Sequence, residues 1–188
     1  MSRVALVTGG MGGLGEAVCI KLAALGFKVV TTYSPGNEKV KDWLQGMHNM
    51  GYGFKAYPCD VTDFDSARDC IEVVTKDVGP VDVLVNNAGV FEPGSVHNEP
   101  EGLLESQMAS NLYSAYHVTR TVLPWMMEKR AGHIFNICSI ASLHAYPNGG
   151  AYSISKFALH GFSKNLREEL KPFGIKVTAV HPGAVMTD

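Results

Sequence analysis

Residues 3–15, RVALVTGGMGGLG, carry an apolar run directly into a turn containing five glycines. The run has the unbroken apolar character of a strand buried on both faces. Beyond the turn, over about 13–26, Ala17, Val18, Ile20, Leu22 and Leu25 recur at roughly helical spacing. Within this strand–turn–helix unit, Thr8-Gly9, Gly13 and Gly15 permit a tight turn, close approach by a phosphate and close helix–strand packing. The helix N-terminus offers unpaired N–H groups and the positive end of the helix dipole. The unit predicts nucleotide binding, with a purely structural glycine turn as the alternative.

The same alternation runs through the chain. FKVVTTY reads as a second strand, 37–50 as a helix, and GYGFKAYPCDV as a third strand and its exit. A helix over 64–78 precedes the fourth strand, VDVLVNNAG, and a polar connection, 91–100. A long helical region follows over about 101–130, with Pro124 as the expected bend or division. GHIFNICS, a helix over 151–171 and the strand GIKVTAVHPG complete the series. Continuously apolar strands alternating with amphipathic helices imply a mainly parallel sheet of about six strands covered on both sides. The expected fold is therefore α/β, three-layered and doubly wound. The 188 residues suit one domain spanning 1–188. Ligand sites in such sheets lie at the carboxyl ends of the strands. The glycine turn, NNAG, Ser139 and HPG all fall there.

A formal charge of −2 gives no electrostatic case for nucleic acid or an anionic membrane as partner. Cys19, Cys59, Cys70 and Cys138 include no CxxC pair, and the seven histidines lack ligand spacing, so no metal or disulfide framework is expected. No signal peptide or long apolar run is seen, and the expected location is cytoplasmic.

An acid after the second strand would bind adenosine ribose hydroxyls and repel a 2′-phosphate. No acid occurs from Val29 through Asn37. Tyr33 and Ser34 stand there as hydrogen-bond donors, and Lys39 and Lys41 follow as positive charges or as solvated helix residues. The expected cofactor is NADPH/NADP in preference to NADH. Asp60 and Val61, after the third strand, stand where an adenine edge is held; the alternative for Asp60 is a turn residue before a helix. The small residues of NNAG suit close approach of chain and cofactor, and its asparagines suit bonding to neighbouring backbone.

Tyr152 and Lys156, four apart, share one face of a predicted helix, and Ser139 lies thirteen residues before the tyrosine. With these in place the sequence resembles the short-chain dehydrogenase/reductase family. The matching features are Thr8-Gly9-Gly13-Gly15, Asn86–Gly89, Asn111, Ser139, Tyr152–Lys156 and Pro182–Gly183, in family order along essentially the whole chain. The resemblance implies a Rossmann fold and reduction of a small-molecule carbonyl. Such chemistry needs hydride at carbon and a proton for the developing alkoxide, and an ordinary phenol, with a pKa near 10, is poorly matched to neutral-pH exchange. A neighbouring ammonium favours phenolate.

By resemblance, Tyr152 is the proton donor, and Lys156 favours the phenolate and bonds the nicotinamide ribose. Ser139 orients the carbonyl, and Asn111 supports a water-linked proton relay to Lys156. Cofactor contacts are implied at Gly9, Met11, Gly13, Leu14, Gly15, Asn87, Ala88, Gly89, Tyr152, Lys156, Pro182, Gly183, Val185 and Thr187. Cys138 reads as packing, and His144 and Asn148 lie where family substrate loops run.

The amino-terminal half resembles acetoacetyl-CoA reductases, and the part after NNAG is more similar to general carbonyl or 3-oxoacyl reductases. That change suggests a chimera joined near residue 90. The family pattern continues beyond PG into a substrate lid and a seventh strand, which the sequence ending at Asp188 is expected to lack. The alternative function is therefore a truncated or chimeric dinucleotide-binding protein with little turnover. Homodimers or homotetramers built on the long helices are the expected assemblies.

Overall fold

Successive residues of β1 (Val4–Thr8) face opposite sides of the sheet, and both sides are apolar. Val4 and Leu6 join one core cluster; Ala5 and Val7 join another. A computed structural model describes residues 2–185 and shows why β1 is so thoroughly buried. It lies inside a parallel sheet whose order is β3 (Lys55–Pro58), β2 (Lys28–Tyr33), β1, β4 (Val81–Asn86), β5 (Gly132–Ile137), β6 (Ile175–Val180). This is the strand order of a doubly wound Rossmann sheet, the fold expected from the sequence, and the direction of winding reverses between β1 and β4.

Helices cover both faces. α1 (Gly13–Ala24) and α2 (Val40–Asn49) lie on one side, tied by a hydrogen bond from Trp43 Nε1 to Glu16 Oε2 at 2.6 Å. α3 (Phe64–Asp77), α5 (Ser114–Lys129) and α6 (Gly150–Leu170) pack on the other, where Val74, Val118, Met126 and Leu166 meet Leu6, Leu84 and Ile134. Burial of each large aliphatic side chain stabilises the fold by about 1.5–3 kcal/mol. Among the described residues, no helix is long and apolar enough to cross a membrane.

Local chemistry adjusts several expected boundaries. α1 stops at Ala24 because Gly26, at φ +83°, closes it with Phe27 N–H bonded to Leu22 O at 3.2 Å. α2 begins three residues late because Asn37 N–H bonds Ser34 O in a turn and Asn37 Oδ1 accepts from Lys39 N. The expected division of the long helical region at Pro124 is not observed. Pro124 sits exposed inside α5, where water can satisfy the carbonyl its ring leaves free. The interruption lies earlier, as a π-helical turn at Ala109–Tyr113 following α4 (Leu103–Met108).

A buried polar chain crosses the large core. Asn86 Nδ2 donates to Asn136 Oδ1 at 2.8 Å and to Thr119 Oγ1 at 3.0 Å. Asn136 Nδ2 donates to Ser163 Oγ at 2.8 Å, joining β4, β5, α5 and α6. Asn136→Ala strips partners from two buried groups and is expected to destabilise the protein by about 2–4 kcal/mol, read as a lower urea midpoint. An unchanged midpoint would mean that the network contributes nothing net.

Candidate active site

The glycine turn is built by contact with the end of β4. Thr8 Oγ1 accepts from the backbone N–H groups of Asn87 and Ala88, both at 3.0 Å. Asn87 Nδ2 returns bonds to Thr8 O and Gly9 O, also at 3.0 Å, so Asn87 of NNAG bonds neighbouring backbone, whereas Asn86 bonds side chains of the core. Gly9 has φ +62°, and a Cβ there would lie 3.2 Å from Ala88 Cα. A Cβ on Gly15 would lie 2.5 Å from Gly9 O and 2.8 Å from Gly10 Cα. Gly12 is different: nothing lies within 4 Å of its would-be Cβ, and it caps α1 without a side-chain bond. The first turn of α1 thus opens on a backbone-lined hollow, with Gly13 (φ +52°) as its first helical residue.

That hollow continues as a 470 Å³ cleft over the switch between β1 and β4. Tyr33 and Ser34 form one end, Asp60 and Val61 a wall, and Asn87, Ala88 and Gly89 the centre. Asp60 is exposed, and hydrogen bonds from the Thr62 hydroxyl and backbone N–H hold its carboxyl below the usual carboxylate range. Asp63, not Asp60, caps α3 through a 2.7 Å bond from Ser66 N. Lys39 and Lys41 are exposed outside the lining of this cleft. Met11 is half-buried beside it, and the Leu14 side chain turns into an apolar groove with Val18 and Val180, leaving its backbone for any ligand. An elongated dinucleotide fits: an open helix N-terminus suits its pyrophosphate, and the β2 end presents no carboxylate.

Ser139 and Tyr152 both line an adjoining 580 Å³ cavity. Ser139 leaves β5 in extended conformation and opens a 3₁₀ turn (Ile140–Ser142), where its Oγ accepts from Ala141 N at 3.1 Å. The segment is braced by Ile140 N–H to Pro182 O at 3.0 Å and by His181 Nδ1, 3.1 Å from Ser139 O. Tyr152 and Lys156 share a face of α6. Lys156 is 7% exposed, and its Nζ donates to Ile137 O at 2.9 Å and sits 5.8 Å from the centre of the Tyr152 ring. Burial pushes the Lys156 ammonium below the ordinary lysine range.

Asn111 lies in the π turn, fully buried. Its Oδ1 accepts from Val90 N at 2.8 Å, and its Nδ2 donates to Val90 O at 3.0 Å and Ser155 Oγ at 2.9 Å. Asn111 Oδ1 and Lys156 Nζ converge on Gly89, where a Cβ would lie 2.6 Å and 3.7 Å from them. Cys138 is buried in packing, and desolvation raises its thiol pKa.

Gly183 and Val185 reach the cavity wall, whereas Thr187 lies outside the described residues. His144 also lines the cavity. Asn148 does not: its side chain and carbonyl bond Ser95 and Gly94 in the 91–100 connection. Sequence reasoning missed Phe91 and Tyr146 on the same wall. Phe91 packs edge-to-face on Tyr152, with ring centres 4.7 Å apart. Its place two residues after NNAG was the available signal.

The family model described as short chain dehydrogenase matches residues 3–188. An acetoacetyl-CoA reductase of Cupriavidus necator is 36% identical over 186 residues, covering 99% of this chain and 76% of that protein. A solved structure of an actinorhodin polyketide ketoreductase with NADPH superimposes with a TM-score of 0.94 at 34% identity, covering 99% of this chain and 72% of that one. ElxO with NADP bound gives 0.94 at 30% identity, covering 100% and 76%. The likeness to the C. necator enzyme runs through residue 90 along nearly the whole chain, so a junction there is not needed.

Proposed function

This chain belongs to the short-chain dehydrogenase family, an oxidoreductase family, and from that membership we propose that it uses NADPH to reduce a ketone or 3-oxoacyl thioester. The observation that carries the reading is that Ser139 and Tyr152 line one cavity, with Lys156 buried beside the tyrosine and the glycine-lined cleft alongside.

A nicotinamide dinucleotide held in the cleft along Gly12, Tyr33, Asn87 and Gly89 would supply the hydride that the carbonyl carbon needs. The Ser139 hydroxyl donates to the substrate oxygen and orients it. The Tyr152 phenol transfers its proton to that oxygen as the C=O bond becomes C–O–H, and solvent returns a proton to the phenolate. Lys156, held by Ile137 O, sits 5.8 Å from the centre of the Tyr152 ring and would bond the nicotinamide ribose. Asn111 fixes Val90 and the Ser155 turn of α6, and so the backbone around Gly89 through which a water-linked relay to Lys156 would run.

The uncharged β2 end, with Tyr33 and Ser34 as donors, supports NADPH over NADH, as do relatives crystallised with NADPH and NADP. Similarity to acetoacetyl-CoA reductase supports a 3-oxoacyl thioester among the candidate substrates.

Titration with NADPH and NADH, followed by nicotinamide fluorescence, is expected to show at least about tenfold tighter NADPH binding, or ~1.4 kcal/mol. Adding acetoacetyl-CoA or a neutral ketone should then oxidise NADPH with saturation kinetics. Equal affinity for both cofactors would refute the cofactor choice. Binding without oxidation by any ketone would leave a dinucleotide-binding protein without turnover.

A further inference from the structure

Tyr152 sits between two residues that are tied to different loops. On its C-terminal side, Ser153 Oγ donates to Ala141 O at 2.9 Å, joining α6 to the turn that follows Ser139. On its N-terminal side, the fully buried Ala151 donates its N–H to Glu99 Oε1 at 2.8 Å. Glu99 comes from the connection between β4 and α4, 52 residues away in sequence.

This bond fills a gap in the helix. The N-cap of α6 is Gly149, which has no side chain to accept a first-turn N–H. A carboxylate at this end is also favoured by the helix dipole. The surroundings are shaped around it: a Cβ on Gly150 would collide with Glu99 Oε1 and lie 2.5 Å from Gly94 O. Two further bonds close the same clasp, Ser95 Oγ to Asn148 Oδ1 at 2.6 Å and Gly94 N to Asn148 O at 3.2 Å. Asn148 adopts φ +62° there, a left-handed conformation that asparagine tolerates. The clasped connection also carries Phe91, whose ring packs edge-to-face on Tyr152.

We infer that Glu99 is a positioning residue for Tyr152: it caps α6 from a separate loop and fixes the phenol relative to Ser139 and Phe91. The inference rests on the reductase reading for its effect on turnover, but the clasp itself is testable without turnover.

Glu99→Ala and Glu99→Gln should be compared with the wild-type chain. Gln keeps an acceptor oxygen and loses the charge; Ala loses both. The Ala variant is expected to lower kcat at saturating substrate by about tenfold or more, since small displacements of a reacting group are costly. Its Kd for NADPH should stay within about twofold, because the cleft does not involve Glu99. The Gln variant should recover most of the lost rate. In the ligand-free protein, hydrogen exchange of the Ala151 amide should quicken by about tenfold in the Ala variant. Unchanged kcat in the Ala variant, or exchange at Ala151 equal to wild type, would overturn the inference. So would a parallel loss of NADPH affinity, which would mark general loosening instead of positioning. A wild-type chain without turnover would sink the reductase reading, and Ala151 exchange would still decide whether the clasp exists.

Discussion

Tyr152→Phe is expected to lower ketone turnover by roughly a hundred- to ten-thousandfold while leaving NADPH affinity within about twofold. Phenylalanine keeps the ring that meets Phe91 at 4.7 Å and removes only the oxygen that carries the proton. Lys156 stays anchored to Ile137 O, and Ser139 keeps its bond from Ala141 N, so the cavity wall is otherwise unchanged. The loss should appear in kcat with little change in KM, the pattern of an interaction made in the transition state. A matched fluorescence titration and steady-state assay measure both quantities. Equal rates in the two proteins would exclude Tyr152 as the proton donor.

Gly15→Ala is expected to destabilise the chain by about 1–3 kcal/mol and to weaken NADPH binding by at least tenfold. The added methyl meets Gly9 O and Gly10 Cα, both backbone atoms of the turn, and Asn87 Nδ2 at 2.7 Å. The two backbone atoms cannot step aside like the end of a flexible side chain. Displacing Asn87 would also disturb its bonds to Thr8 O and Gly9 O, which hold β1 and β4 together at the cleft. Gly12→Ala is the contrasting case, because its methyl enters open space on the cleft side. Its unfolding midpoint should match wild type within the error of a surface substitution, about 0.5 kcal/mol, while NADPH affinity falls. Urea unfolding and fluorescence titration of both variants test the pair. Weak binding in Gly15→Ala at wild-type stability would contradict the steric account.

The strand–helix alternation was legible because both faces of the sheet are covered, which keeps the inner strands largely apolar. β1, with all five residues buried, is the clearest example. The placing of Ser139 and Tyr152 on one cavity was legible through family spacing, not through local pattern. The end of α1 was also readable in principle, since Gly26 supplies the left-handed residue that closes it. The interruption of the long helix was not. Proline drew attention to position 124, but an exposed proline leaves its freed carbonyl to water. The π turn instead surrounds Asn111, whose partners Val90 and Ser155 lie 21 and 44 residues away. Glu99 was illegible for the same reason: nothing in its neighbourhood says that it caps a helix beginning at Gly150. The direction of Asn148 likewise depends on a loop 53 residues distant. Such partners are chosen by tertiary approach, which local periodicity does not encode.

The most direct test of the account follows the hydride itself. The wild-type chain would be incubated with acetoacetyl-CoA or a neutral ketone and NADPH deuterated at the transferable position of the nicotinamide, and the product analysed by mass spectrometry and NMR. The account predicts one deuterium at the new carbinol carbon of each product molecule, formed in step with NADPH oxidation and suppressed in Tyr152→Phe. NADPH oxidation with no deuterium at that carbon would contradict it.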